Sequence, residues 1–266
     1  MPSTPSSPPP DKPSSSSART RFGARFRALS PVVQATIFAI VAMMVFSVVP
    51  PSVRALSDTM SSWQIVFIRT LFGTVGIGAY LAWAGLYELK TRQFGIHFIR
   101  STLNFVGMVM WFWALGIVEL AKGIAIHFTM PLFITLFAMM FLGEKVGPRR
   151  LGAMLVGFAG IMIILRPGMI EIGLPELAIL SSAALYGGAV ILLKVVVREE
   201  TPLAVTFYTN LLIGLWCLVP TFLYWAPVSL TDILPILGLG TCGLFAPFLV
   251  AVALKKADAS LIAAFD

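Results

Sequence analysis

The chain has 266 residues, of which 58% are hydrophobic and 12% charged, and it carries a formal net charge of +7. A soluble domain needs about 25% charged residues to keep its surface wet, so a water-soluble globular fold is excluded. Cys217 and Cys242 both lie in apolar stretches; two cysteines so placed give no disulfide framework or metal-ligand spacing and read as small hydrophobes.

Residues 1–30 are rich in Ser and Pro and poor in hydrophobes, a composition that cannot bury enough apolar surface to offset the entropy of ordering. They read as a disordered tail. The first apolar run begins at Val32 and is long enough to span, so it reads as a retained helix and not as a cleaved secretory signal. Eight apolar segments of bilayer-crossing length follow one another, at about 33–51, 63–86, 98–117, 123–142, 150–166, 174–193, 203–224 and 234–254. A ninth begins near Ala259 and reaches Asp266, about two turns on, too short to span by itself. The expected fold is an all-α, polytopic membrane helical bundle.

Lys and Arg fall on alternate connections. With the tail inside, fifteen of the 19 basic residues gather on one side: Lys12, Arg19, Arg21, Arg25, Arg27, Lys90, Arg92, Arg100, Lys145, Arg149, Arg150, Lys194, Arg198, Lys255 and Lys256. Arg54, Lys122 and Arg166 fall on the other, and Arg69 lies within the second segment. Positively charged loops stay cytoplasmic, so a cytoplasmic N-terminus in the inner membrane is expected. The same bias accounts for the net charge and leaves no basic patch that calls for nucleic acid.

Polar groups inside the apolar segments are the candidate site, because each costs several kcal/mol unless it faces the bundle interior or water. Arg69 sits about two turns into the second segment, where it either snorkels to the interface near Ser61, Ser62 and Trp63 or serves as an anion-binding or coupling charge. Asn104, Met108 and Trp111 recur at helical spacing and share one face, offering amide groups and a stacking surface beside ordinary packing. His127 stands four residues before Pro131, whose ring frees the His127 carbonyl and kinks the helix; imidazole and carbonyl are both available to a solute or proton. Glu144 reads as pairing with Arg149 and Arg150 across a turn, a structural contact or a gate. Gly157 and Gly160 form a small-residue packing stripe. Tyr186, Tyr208 and Asn210 supply further polar contacts. Pro247 frees the Gly243 carbonyl, and Pro235 adds a bend near the start of the same helix. Asp266 is a buried acid if the ninth helix starts near Ala259.

Catalysis has little to work with. There are two histidines, His97 in a loop and His127 in a helix, with no His–Glu pair, no paired intramembrane carboxylates, no nucleophile elbow and no glycine-rich nucleotide loop. No enzyme activity, cofactor or metal is expected.

Internal repetition is weak but consistent. Gln64-Ile-Val-Phe-Ile-Arg-Thr-Leu aligns with Ala204-Val-Thr-Phe-Tyr-Thr-Asn-Leu, and Lys122-Gly-Ile-Ala-Ile-His-Phe with Ser260-Leu-Ile-Ala-Ala-Phe-Asp. Both registers pair helix n with helix n+5, and an odd offset inverts the second half relative to the first, the arrangement of alternating-access carriers.

The stretch Ala114-Leu-Gly-Ile-Val-Glu-Leu-Ala-Lys-Gly-Ile-Ala-Ile-His-Phe-Thr-Met-Pro-Leu-Phe resembles the end of a repeat in the drug/metabolite transporter superfamily, EamA type. Phe141-Leu-Gly-Glu-Lys-Val-Gly-Pro-Arg-Arg and Gly157-Phe-Ala-Gly-Ile-Met-Ile-Ile-Leu-Arg-Pro-Gly continue the likeness, and Phe207-Tyr-Thr-Asn and Ala257-Asp-Ala-Ser-Leu-Ile-Ala-Ala-Phe-Asp extend it into the second half. Ala264 stands where that pattern more often has proline. The resemblance implies a ten-helix carrier: residues 31–168 a first five-helix repeat, and residues 172–266 an incomplete inverted second one. It further implies secondary transport of a small-molecule metabolite, with export of amino-acid-like or other small polar or amphiphilic solutes as the first expectation, and with Asp266 as a partner for Arg69 or a proton carrier. The implied partners are the lipid bilayer, the metabolite, a coupling proton and a second copy in a homodimer. The competing expectation is a non-transporting membrane subunit or an inactive truncated carrier.

Overall fold

The computed structural model describes residues 29–165 and 173–257, and among these every regular element is helical. In chain order they are α1 (Pro31–Phe46), α2 (Val49–Leu56), α3 (Ser62–Ala84), α4 (Phe94–Leu115), α5 (Leu120–His127), α6 (Met130–Leu142), α7 (Pro148–Leu165), α8 (Leu174–Val196), α9 (Pro202–Leu223) and α10 (Ile233–Lys256), with short 3₁₀ turns at Leu86–Leu89 and Leu230–Asp232. Seven described segments are long and apolar enough to cross a membrane: Pro31–Leu56, Ser62–Trp83, Phe94–Leu115, Leu120–Leu142, Leu174–Val196, Pro202–Leu223 and Leu230–Lys256. The expected fifth segment is present as α7, 18 residues long. The tail, Arg166, the ninth helix and Asp266 lie outside the described residues.

Helix boundaries follow local chemistry. Ser30, Ser61 and Thr201 each cap a helix with their hydroxyl oxygen, accepting from Val33, Gln64 and Ala204 N–H at 3.4, 3.4 and 3.2 Å. Pro31 and Pro202 stand at the first helical positions, where the missing N–H has no intrahelical acceptor. Gly143, at φ 65°, ends α6 in the left-handed conformation that a side chain resists. Inside a bilayer no water satisfies the backbone, and a helix satisfies its own groups within each apolar run.

Two spans are broken by proline. Pro50 and Pro51 divide the first into α1 and α2, and Pro131 divides the fourth into α5 and α6. The break expected at His127 is therefore present as an interruption at Phe128–Thr129. Pro247 instead sits inside the continuous α10. Pro235 lies in the first turn of α10, where N–H groups have no intrahelical acceptor to lose, so the bend assigned to it breaks no helical bond.

Packing relies on small residues, since without a hydrophobic drive between membrane helices close approach is what brings them together. Ala35, Ala39 and Ala42 are fully buried on α1, which lies against α10. A Cβ on Gly187 would stand 2.9 Å from Phe133, and one on Gly240 or Gly243 would overlap Phe72 or the Arg69 carbonyl. The pairs α4 with α8, α3 with α9, α3 with α10 and α4 with α9 complete the centre. Gly157 and Gly160 behave otherwise: no described atom lies within 4 Å of where their Cβ atoms would stand, so the packing expected of that stripe is not made among the described residues. Large apolar side chains such as Val75, Phe141, Val156, Leu223 and Leu234 face outward, as a lipid-facing surface requires.

The bundle has two chemically distinct ends. At the basic end, Lys194 donates to the carbonyls of Leu254, at 2.8 Å, and Ala257, closing the C-terminus of α10, and Lys256 donates to Gln34 at 2.9 Å. At the second end, Arg54 donates to the carbonyls of Leu115, Gly116 and Val118 at 3.0, 2.9 and 3.3 Å, satisfying the C-terminus of α4.

Candidate functional site

Six helices, α3, α4, α5, α8, α9 and α10, bring polar and aromatic residues to one layer. Arg69 from α3 is 5% exposed, so the snorkelling alternative is ruled out in this structure. Its guanidinium donates to Met108 Sδ at 3.7 Å, a weak acceptor for a group with five donors. No carboxylate lies within ion-pair distance of it among the described residues. Tyr186 from α8 and Cys242 from α10 lie near the same charge.

The aromatic part of the layer abuts this charge. Trp111 and His127 stack with ring centroids 4.2 Å apart and planes at 31°, and Tyr186 meets His127 edge-on at 5.7 Å and 78°. His127 Nε2 is buried and has no hydrogen-bond partner among the described residues. The broken helix explains the placement: α5 ends at His127, so its imidazole and its carbonyl end both sit where the backbone ladder is interrupted.

On the far side of Arg69, α9 and α10 close in. Asn210 Nδ2 donates to the Thr206 carbonyl at 3.1 Å and to the Gly243 carbonyl at 3.3 Å. Gly243 presses on the Arg69 backbone and Gly73 on the Asn210 amide, with no room for a Cβ at either position. Thus Arg69, Trp111, His127, Tyr186, Asn210 and Gly243 converge, with Pro131 and Pro247 acting through the carbonyls they free. Asn104 is half-buried one turn from Met108 on the same face of α4.

Two expected residues go elsewhere. The Tyr208 hydroxyl donates to the Leu89 carbonyl at 2.6 Å at the basic end, because Tyr208 lies only two turns into α9. Glu144 lies in the connection between α6 and α7, its N–H on the Ala138 carbonyl at 3.2 Å; the side chains of Arg149 and Arg150 lie outside the described residues. Two surface grooves of about 420 and 480 Å³ open near Trp63 and Trp113 and near Pro51 and Leu234, and neither reaches the polar layer.

A second polar cluster was missed. His97 is not in a loop but in the first turn of α4, fully buried, with Nε2 2.6 Å from Glu200 Oε2. A His–Glu pair therefore exists, against the expectation from sequence, and its partners are 103 positions apart, beyond any local motif. Thr91 donates to Glu200, Gln93 to Glu199, and Arg100 to Thr209 and, at 3.0 Å, to the Val205 carbonyl. A usable signal existed in the spacing of His97 and Arg100, one turn apart at the head of an apolar run.

A multi-span helical bundle with a buried arginine that meets no carboxylate among the described residues, beside an aromatic layer, suits a membrane carrier. The EamA-like transporter family model matches residues 34–166, and the chain belongs to that family. It is 33% identical over 210 residues to a riboflavin transporter of Vibrio cholerae, covering 78% of this chain and 70% of that one. It is 26% identical to an S-adenosylmethionine uptake transporter of Rickettsia bellii, covering 80% and 73%, and 24% identical to a pseudopaline exporter of Pseudomonas aeruginosa, covering 85% and 80%. A solved crystal structure shares the fold with a TM-score of 0.69 at 21% identity, covering 86% of this chain and 83% of that one. The protein is thus a multi-pass membrane transporter and not an enzyme.

Proposed function

We propose that the protein moves a planar, heteroaromatic metabolite across the inner membrane by alternating access, with the basic end facing the cytoplasm. The observation that carries this reading is the juxtaposition of Trp111, His127 and Tyr186 with the buried Arg69. An incoming ring replaces one member of the aromatic stack, and the guanidinium donates to the acceptors at its edge. Riboflavin and S-adenosylmethionine, the solutes named for two relatives, both combine a planar ring with hydrogen-bond acceptors. The relatives include uptake proteins and an exporter, so the first expectation of export has no preference over import, and the gradient sets the direction.

The helix contacts support the inverted-repeat reading with boundaries at 31–168 and 172–266. Exchanging span n with span n+5 maps the α3–α9 pair onto itself, the α4–α8 pair onto α1–α10, and the α3–α10 pair onto α4–α9, and all of these contacts are made. A rocking motion about the α3–α9 pair then opens either end in turn.

The test is equilibrium binding of riboflavin to the purified protein in detergent, followed by quenching of the ligand's fluorescence, with S-adenosylmethionine as competitor. The reading expects saturable quenching that Trp111→Leu abolishes. Neither solute binding saturably, or undiminished binding to Trp111→Leu, overturns it.

A further inference from the structure

Buried polar atoms without partners are rare, because each pays its full desolvation cost. Among the described residues six side-chain atoms are so placed: Gln93 Oε1, His97 Nδ1, Arg100 Nε, Ser101 Oγ, His127 Nε2 and Thr221 Oγ1. Four of them fall between Gln93 and Ser101, at offsets of four, seven and eight residues, which puts them on one face of α4. Asn104, Met108 and Trp111 continue that face, and His127, carrying the fifth atom, stacks on Trp111. The line runs from the basic end to the Arg69 layer, about 21 Å from His97 to Trp111 at 1.5 Å per residue.

The unpartnered atoms include an acceptor at Gln93, a donor at Arg100 and a hydroxyl that is both at Ser101. Water is the ligand that satisfies such a mixture. At the basic end the line is closed by bonds between residues 55 to 119 positions apart. His97 meets Glu200, Thr91 donates to Glu200, Gln93 to Glu199, Tyr208 to the Leu89 carbonyl, and Lys255 to the Glu200 carbonyl at 3.3 Å. Except for the Lys255 bond, each joins residues 89–97 to residues 199–208, on opposite sides of the expected repeat boundary.

We propose that the α4 face through Gln93, His97, Arg100, Ser101 and Asn104 is a water-filled access path to the Arg69 layer, shut at the basic end by the His97–Glu200 pair. The path deepens the transport reading, which supplies its destination, but water access is measured without any solute, so the two fail separately.

Single cysteines Ser101→Cys, Asn104→Cys and Val106→Cys are placed in a Cys217→Ala, Cys242→Ala background, Val106 being an exposed apolar position of α4. A charged, water-soluble methanethiosulfonate is applied in membrane vesicles. Replacing Glu200 by Gln, or His97 by Asn where the first variant does not fold, raises the labelling rate at Ser101→Cys and Asn104→Cys by about tenfold, the effect of losing one charge-assisted hydrogen bond. Val106→Cys stays unlabelled. No acceleration in a folded latch variant, or labelling of Val106→Cys at the rate of the path positions, overturns the proposal.

Discussion

The Asn210 amide donates to the Gly243 carbonyl at 3.3 Å, and that carbonyl is the one left without its helical partner by Pro247. A side chain of α9 thus repairs the ladder of α10, which is why the helix stays continuous where α5 and α6 separate.

Removing that donor exposes the defect. Asn210→Leu leaves a buried carbonyl unpaired within the bundle and is expected to destabilise the protein by about 1 kcal/mol. Gly243→Ala is expected to cost more, about 1–3 kcal/mol, because the new Cβ meets the Arg69 carbonyl. Thermal unfolding in detergent measures both, and equal stability of Gly243→Ala and the parent would contradict the close approach of α3 and α10.

Arg54 ties α2 to the C-terminus of α4 through three carbonyls at 2.9–3.3 Å. Arg54→Met keeps the alkyl stem and removes the donors; the expected loss is about 1–3 kcal/mol, the range for hydrogen bonds from a charged group. Arg54→Lys recovers part of it, since all three carbonyls accept from the single Nη1 and an ammonium also carries its donors on one nitrogen, on a shorter stem. No recovery by lysine together with no loss in Arg54→Met, read in the same unfolding assay, would speak against the multiple-carbonyl geometry.

At the second end Lys122 meets Glu176 at 2.6 Å with both side chains partly exposed, 20% and 13%. Either neutralisation, Lys122→Met or Glu176→Gln, is expected to cost under about 1 kcal/mol, as solvent-accessible pairs do. The charge-reversed double variant Lys122→Glu, Glu176→Lys restores the pair, and a double-mutant cycle in low salt reads the coupling. A coupling of zero would remove the pair from any account of how α5 and α8 are held.

Much of the fold is written in local chemistry. Hydropathy placed the spans because the bilayer length is a hard constraint, and Pro131 announced the break at His127 because a missing N–H acts on a known carbonyl. The apolar run of the third segment starts at 98, four residues after α4 begins at Phe94: Gln93 makes no side-chain cap, so nothing local marks the start. That displacement put His97 in a loop and hid its pairing with Glu200. Arg69, Trp111 and His127 were legible as polar or aromatic residues in apolar runs, whereas Tyr208 was misdirected because residue type says nothing about depth along the helix.

The central claim is that the layer of Arg69, Trp111, His127 and Tyr186 carries a planar solute across the membrane. The most direct measurement is uptake of radiolabelled riboflavin and S-adenosylmethionine into proteoliposomes holding the protein, Arg69→Gln or Trp111→Leu. The account predicts saturable, protein-dependent uptake of at least one solute, with kcat/KM reduced about tenfold or more in each variant, as expected for losing a charged hydrogen bond or an aromatic contact. Saturable uptake unchanged in both variants, or no uptake of either solute by the folded parent protein, would contradict it.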